Sequence, residues 1–208
     1  MAAQITHTVL SEKVFGKFFS DKIKKDFFVG SCFPDIRYLN GTERDKTHFS
    51  NLSVADLKNN NSFLAGVKFH SIVDSVRENY MTKNNVYSLC PESKYTTRSL
   101  KMFEDWVCYP YIDNWQEYIN YFDEILPDEI NYGMDKKDLE KWHRLLQKYF
   151  FQRPNSQSVA DRMLAIGVSK EIVDTINKDN EQMYGNEELI EAIEDFYKNF
   201  EDLLTPPK

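Results

Sequence analysis

The sequence predicts an all-α protein, a compact multi-helix bundle with a C-terminal helical extension. Apolar residues recur at helical spacing in most segments, and no segment shows the strict alternation of a half-buried strand. The 15 Phe and 12 Tyr residues provide large side chains for packing helices against one another. A chain of 208 residues with 41% hydrophobic content is long enough to bury a full core.

The composition limits which binding partners and which cellular compartment are expected for this protein. The net charge of -7 argues against stable binding of duplex nucleic acid, which requires clustered Lys and Arg. The three cysteines show no CxxC spacing, so neither a disulfide framework nor a thiolate zinc site is expected. The N-terminal residues lack a signal-peptide pattern, and no apolar run is long enough for a membrane span. These observations predict a cytoplasmic protein, and they leave its oligomeric state open.

An apolar stripe near the N-terminus predicts the first helix. Leu10 and Val14 follow His7 by three and seven residues, so this histidine shares their face and is directed toward the core. Lysines lie between the apolar positions, as in an amphipathic helix. The stripe consists of Ile5, Val9, Leu10, Val14, Phe15, Phe18, Phe19 and Ile23.

A hydrophobic loop is expected over residues 27–41, FFVGSCFPDIRYLNG. Gly30 and Pro34 interrupt the helical periodicity there, and exposed loops seldom carry so many apolar residues. The segment should therefore press into the core and carry Asp35 inward. A buried carboxylate needs a cation or several hydrogen-bond donors, because desolvation alone costs several kcal/mol. His48 follows in a short charged stretch.

Residues 62–81 give the strongest helical pattern in the chain. Their apolar side chains nearly encircle the helix, which predicts a central, buried position. His70 and Asp74 stand in this apolar setting one turn apart, and therefore on one face. The burial of two polar side chains that face one point in a core calls for a single explanation that accounts for both.

Helical spacing continues through the second half of the chain, interrupted by short links that contain Pro, Gly or Asn. The link 152–158 is the best candidate boundary. It divides a helical metal-binding domain, residues 1–151, from a C-terminal helical extension, residues 152–208, packed on the same core. The further helices are predicted at residues 96–109, 114–126, 135–151, 158–166, 170–182 and 187–204.

Three histidines and two aspartates form a candidate metal site. In the absence of thiolate, zinc prefers imidazole nitrogen and carboxylate oxygen. Five ligands exceed what one tetrahedral zinc ion requires and suit a pair of ions that share a bridging carboxylate. Each residue alone also has an ordinary structural explanation, such as a turn or a hydrogen-bonded pair. Together they predict a shared site made by His7, Asp35, His48, His70 and Asp74.

The motifs that carry these residues resemble a known family. ITH, FFVGSCFPDIRYL, THF and FLAGVKFHSIVD, in this order over about residues 5–80, are similar to the zinc-dependent phospholipase C and S1/P1 nuclease-like superfamily. The resemblance implies an all-helical fold of that type with up to three zinc ions. It further implies that Asp35, His48, His70 and Asp74 surround one zinc and that His7 belongs to a second.

The downstream part of the chain departs from that family. Its members carry a further histidine and an H-x-x-x-E pair, whereas here only His143 follows, with Gln147 four residues later. Glu78, Glu104, Asp105 or His143 could complete the ligand shell, although helix packing is the simpler interpretation of His143. We therefore expect one or two zinc ions, with another divalent metal as the alternative.

These residues predict a zinc-dependent hydrolase that cleaves a phosphoester through a metal-activated water. Asp35 is the expected catalytic residue that orients or deprotonates this water. Arg37 and Arg44 flank the ligands and could bind phosphate oxygens, although both could instead pair with Glu43 or Asp45. The substrate could be a phospholipid head group, a nucleotide or another phosphodiester or monoester.

The alternative function is a non-catalytic helical scaffold or partner-binding protein with a structural or vestigial metal site. The missing downstream ligands favour this alternative. An acidic stretch at residues 187–202 could then contact a partner, although a solvated helix face is the simpler interpretation.

Overall fold

The computed structural model describes residues 2–205, and every regular element within that range is a helix, which confirms the all-α class. None of these helices is long and apolar enough to cross a membrane. Short 3-10 turns connect them at Phe33–Ile36, Arg44–Lys46, Val54–Leu57, Val86–Leu89 and Tyr109–Tyr111. The α-helices are α1 Gln4–Phe18, α2 Lys24–Cys32, α3 Arg37–Asn40, α4 Ser62–Lys83, α5 Thr96–Cys108, α6 Trp115–Asn120, α7 Pro127–Asn131, α8 Lys136–Phe150, α9 Ser156–Ala165, α10 Lys170–Met183 and α11 Glu187–Leu204.

Helix α4 lies at the centre, as its pattern predicts, and packs most extensively against α2. Two glycines permit this close approach. A Cβ on Gly66 would lie 2.0 Å from the Phe27 carbonyl oxygen, and a Cβ on Gly30 would lie 2.2 Å from that of Phe63. Because any side chain at these two positions would overlap backbone atoms, the crossing requires glycine at both.

The predicted loop at residues 27–41 is wrong in its secondary structure, although its burial is confirmed. Helix α2 continues to Cys32, a 3-10 turn follows, and α3 ends at Asn40 and is capped by Gly41, whose φ is +73°. Gly30 serves the crossing with α4 and does not end a helix. Pro34 lies in the first turn of the 3-10 helix, where its missing N–H removes no bond. Asp35 is buried in this turn.

Contacts join the C-terminal helices to the first half of the chain. A small apolar cluster combines Ala3 and Met102 with residues of α9 and α10. Ser99 Oγ of α5 donates a hydrogen bond to Asp179 Oδ2 of α10 at 2.7 Å. The division at residues 152–158 stays a prediction. Met1 and residues 206–208, at the outer ends of the two predicted domains, lie outside the described residues.

Candidate metal centre

The five predicted ligands come together in two overlapping groups that share His70, one with His7 and Asp74 and the other with Asp35 and His48. Asp74 Oδ2 lies 3.7 Å from Nε2 of both His48 and His70, and Asp74 Oδ1 lies 3.4 Å from His7 Nε2. Asp35 Oδ1 lies 4.0 Å from His70 Nε2. Two ligands at about 2.1 Å from a tetrahedral zinc are about 3.4 Å apart. These spacings fit a cation between the groups after a small contraction.

The inward-facing atoms of this cluster lack other partners. His7 is 0% exposed, and neither of its ring nitrogens has a hydrogen-bond partner within residues 2–205. The same is true of His48 Nε2, His70 Nε2 and Asp35 Oδ1. Buried polar atoms are almost always hydrogen-bonded, because each unpaired group costs about 1–3 kcal/mol. A divalent cation would satisfy one nitrogen of His7 together with His48 Nε2, His70 Nε2 and Asp35 Oδ1.

The outer nitrogen of His70 sets the orientation of its ring. Nδ1 lies 2.8 Å from the Ser31 carbonyl oxygen, which can only accept, so Nδ1 carries the proton and Nε2 presents its lone pair to the cluster. The His7 ring stacks on that of His70 with centroids 3.8 Å apart. His48 Nδ1 lies 2.9 Å from Thr47 Oγ1. The rings are thus positioned before any cation arrives.

Hydrogen bonds from neighbouring donors fix the orientation of both carboxylates, Asp35 and Asp74. Gln4 Nε2 donates to Asp35 Oδ2 at 2.5 Å, and Arg162 of α9 in turn donates to Gln4 Oε1. The backbone N–H of Ala2 donates to Asp74 Oδ1 at 2.8 Å. Burial alone would raise the pKa of Asp35, but the positive charge of nearby Lys101 acts in the opposite direction, and the pKa lies below its usual value. Asp35 is therefore ionised at neutral pH.

Burial lowers the pKa of His7 to about 4 and that of His48 to about 3. Both rings are then neutral at physiological pH. Neutral imidazole is the form that binds metal, so no proton has to be displaced from either ring on binding.

We expect the metal-free protein to lose stability as the pH falls from about 6.5 toward 4. In this window the unfolded chain protonates His7 and His48, near their ordinary pKa of 6.5, whereas the folded chain does not. Each such histidine contributes a slope of about 1.4 kcal/mol per pH unit. Urea unfolding with a chelator at pH 7.5, 6.5 and 5.5 measures the slope.

The His48→Gln variant isolates the imidazole contribution to this slope. Asp105 acts in the opposite direction, because burial raises its pKa to about 6. The variant keeps Asp105 and should therefore show a flatter pH dependence than the wild type. Identical slopes for the two proteins would mean that His48 is already protonated in the folded state.

Two neighbouring clefts share Thr97 in their walls, and one of them includes a residue of the cluster. The first, which we call the front cleft, has a volume of about 610 Å³ and includes Asp74 in its wall, together with Arg44. Arg44 Nη2 lies 3.9 Å from Asp74 Oδ2, while the neighbouring Glu43 pairs with Lys46. The front cleft is lined by Arg44, Phe49, Ser50, Asn51, Leu52, Ser71, Ile72, Asp74, Ser75, Glu78, Asn79 and Thr97.

The second cleft, which we call the basic cleft, has a volume of about 1030 Å³ and includes Arg37 in its wall. The Arg37 guanidinium lies over the Tyr38 ring at 4.2 Å and donates to its hydroxyl at 2.8 Å. The two arginines expected to bind substrate therefore lie on different clefts. Their roles stay predictions.

The other residues considered as ligands are engaged elsewhere. Arg77 forms a bidentate pair with Glu104 and also contacts Glu78. Asp105 accepts from the Thr6 backbone N–H and hydroxyl, both at 2.7 Å, and so anchors the N-terminal turn of α1 that carries His7. His143 pairs with Glu129 at 2.8 Å.

The sequence did not predict the supporting roles of Gln4, Ser31, Thr47 and Lys101. Ser31 acts through a backbone carbonyl, which no residue type reveals. Gln4 was detectable in principle, as a polar residue on the inner face of α1 three positions before His7.

Comparison of the chain with protein-family models, with curated proteins and with solved structures finds no match.

Proposed function

We propose that this protein is a metal-dependent hydrolase that cleaves a phosphoester, with zinc as the expected cation. The observation that carries the proposal is the convergence of buried, unpartnered imidazole and carboxylate atoms of His7, Asp35, His48 and His70, with Asp74 between them. A ligand set without thiolate suits zinc, although other divalent cations use the same groups. The motif resemblance to the phospholipase C and S1/P1 nuclease-like superfamily supports the same reaction class.

A bound zinc ion supplies a Lewis acid and lowers the pKa of water toward about 7. The protein's own groups provide the rest. Arg44, beside Asp74 in the front cleft, is suited to bind two phosphate oxygens through its planar guanidinium. Asp35 is ionised and, where its Oδ1 is not itself a metal ligand, can orient or deprotonate the attacking water. Because Asp35 is 1% exposed, its role as proton acceptor depends on substrate entry next to His70.

A second candidate is a structural metal in a non-catalytic partner-binding protein. The complete burial of His7 and His70 favours it, since structural zinc sites are closed. The presence of Asp74 in the wall of the front cleft favours hydrolysis, since a catalytic ion needs a position that substrate can reach.

Arg44→Ala distinguishes the two candidates. We expect the zinc-loaded wild type to cleave bis(p-nitrophenyl) phosphate or p-nitrophenyl phosphate, and Arg44→Ala to lower kcat/KM by about 10- to 100-fold with unchanged zinc content. Release of p-nitrophenol and elemental analysis give the two measurements.

Lys46→Ala is the matched control, because this exposed cation lies two residues from Arg44 and outside the front cleft. It should leave turnover unchanged. Stoichiometric zinc without turnover of either ester would support the structural metal and would rule against hydrolysis of such esters.

A further inference from the structure

The basic cleft has an unusual charge for this acidic protein. Its lining contains five cationic side chains and no acidic one, whereas the whole chain has a net charge of -7. Its volume of about 1030 Å³ is that of a small-molecule site. The five cations are Arg37, Lys94, Arg98, Lys101 and Arg162.

Lys101 links the basic cleft to the metal centre. Its side chain is buried, the residue being 7% exposed, and its ammonium lies 5.8 Å from the centroid of the Tyr38 ring without forming an ion pair with a carboxylate of residues 2–205. Its charge nevertheless acts on Asp35 and Asp74, and burial lowers its pKa. Thr97 lines both the basic cleft and the front cleft, so the two are adjacent. A buried cation without a paired acid costs free energy that an anionic ligand in the cleft would offset.

Lys94 and Arg98 extend the positive charge to the mouth of the cleft. Both are exposed, and neither forms an ion pair within the described part of the chain. Charged residues at a cleft mouth raise the local concentration of an oppositely charged ligand.

The walls between the cations are largely apolar. Tyr38 and Tyr95 contribute aromatic rings, and Met163, Ile166 and Ile172 from the C-terminal helices and their link form the opposite side. Apolar walls with a few convergent charged groups are typical of sites for amphiphilic small molecules, in which the charges fix orientation and the walls bind the body.

We propose that the basic cleft binds a second anionic group of the substrate, a phosphate or carboxylate carried on an aromatic or aliphatic body. The phosphoester to be cleaved would then lie at the metal centre. The catalytic role of this cleft rests on the proposed function, but anion binding in it requires no metal. The substrate class becomes a phosphoester with at least two anionic groups, and quaternary ammonium head groups are disfavoured because the cleft would repel them.

Binding of 1-naphthyl phosphate to chelator-treated protein tests the cleft without the metal centre. Fluorescence titration at low salt should give saturable binding to the wild type and at least about 10-fold weaker binding to the double variant Lys94→Ala/Arg98→Ala. The matched control is Lys141→Ala/Arg144→Ala, which removes two exposed cations from α8. The control should retain wild-type affinity, and circular dichroism checks that both variants fold.

Further probes separate charge from apolar contact. We expect 1-naphthol and inorganic phosphate each to bind more weakly than 1-naphthyl phosphate, and added salt to weaken the phosphate ester more than the alcohol. A nucleoside 3′,5′-bisphosphate represents nucleotide ligands, and a short-chain phosphatidic acid represents lipid ligands. The one that binds more tightly identifies which kind of body the basic cleft accepts.

Two outcomes would overturn the proposal. In the first, 1-naphthyl phosphate fails to bind the wild type; in the second, the Lys94/Arg98 variant binds it as well as the control does. Because the titration uses metal-free protein, a failure to hydrolyse phosphoesters leaves its result intact. Conversely, the protein could hydrolyse phosphoesters with zinc while the double variant binds 1-naphthyl phosphate as well as the wild type does. That result would refute only the proposal for the basic cleft.

Discussion

Replacing His70 by alanine is expected to lower zinc affinity by more than about 100-fold. His70 belongs to both groups of candidate ligands, one with His7 and Asp74 and the other with Asp35 and His48. The loss of an outer hydrogen bond to a ligand typically costs 10- to 100-fold in metal affinity, and loss of the ligand itself should cost more. Competition with a chromophoric chelator measures the affinity, and elemental analysis of purified protein measures the content.

His143→Ala is the matched control for this experiment. His143 is also a buried histidine, but it pairs with Glu129 away from the cluster. This variant should lose stability and keep wild-type zinc affinity. Zinc at 1,000 times the wild-type Kd should raise the free energy of unfolding of the wild type and of His143→Ala by about 4 kcal/mol, and that of His70→Ala by about 1.4 kcal/mol or less. Equal zinc binding by His70→Ala and the wild type would exclude the site.

Local pattern was sufficient to predict the ligand-bearing helix α4 and the residue types of the cluster. His70 and Asp74 on one face of an apolar helix need no tertiary information, because their spacing places them together. The convergence of His7, Asp35 and His48 on that face was predicted from residue chemistry, and the structure brings these side chains together.

Features that depend on contacts between distant segments could not be predicted in this way. The chain from Arg162 through Gln4 to Asp35 joins residues more than 150 positions apart, and no periodicity encodes it. Lys101 lies on α5 and acquires its place beside the carboxylates only through packing. Helix propensity also gave the wrong prediction at Gly30. This glycine lies inside α2 because the close packing against α4 requires it.

The glycines at the crossing of α2 and α4 therefore connect the fold to the site. A Cβ on Gly66 would lie 2.0 Å from the Phe27 carbonyl oxygen and 2.8 Å from the Ser31 backbone nitrogen. Both neighbours are backbone atoms, which cannot rotate away as a side chain can. Relief requires α2 and α4 to separate, and Ser31, whose carbonyl holds the ring of His70, would move with α2.

Gly66→Ala is accordingly expected to destabilise the protein by about 3 kcal/mol or more, at or above the upper end for overpacked cores. In the fraction that folds, zinc affinity should fall by about 10- to 100-fold, because the hydrogen bond that orients His70 is disturbed. Urea unfolding with chelator and zinc competition measure the two effects separately. Gly16→Ala on the exposed side of α1 is the control, since a Cβ there meets nothing within 4 Å and alanine should stabilise the helix by about 0.5–1 kcal/mol. A Gly66→Ala protein as stable as the wild type would mean that the two helices do not cross as closely as described, and the orientation of His70 by Ser31 would then lose its basis.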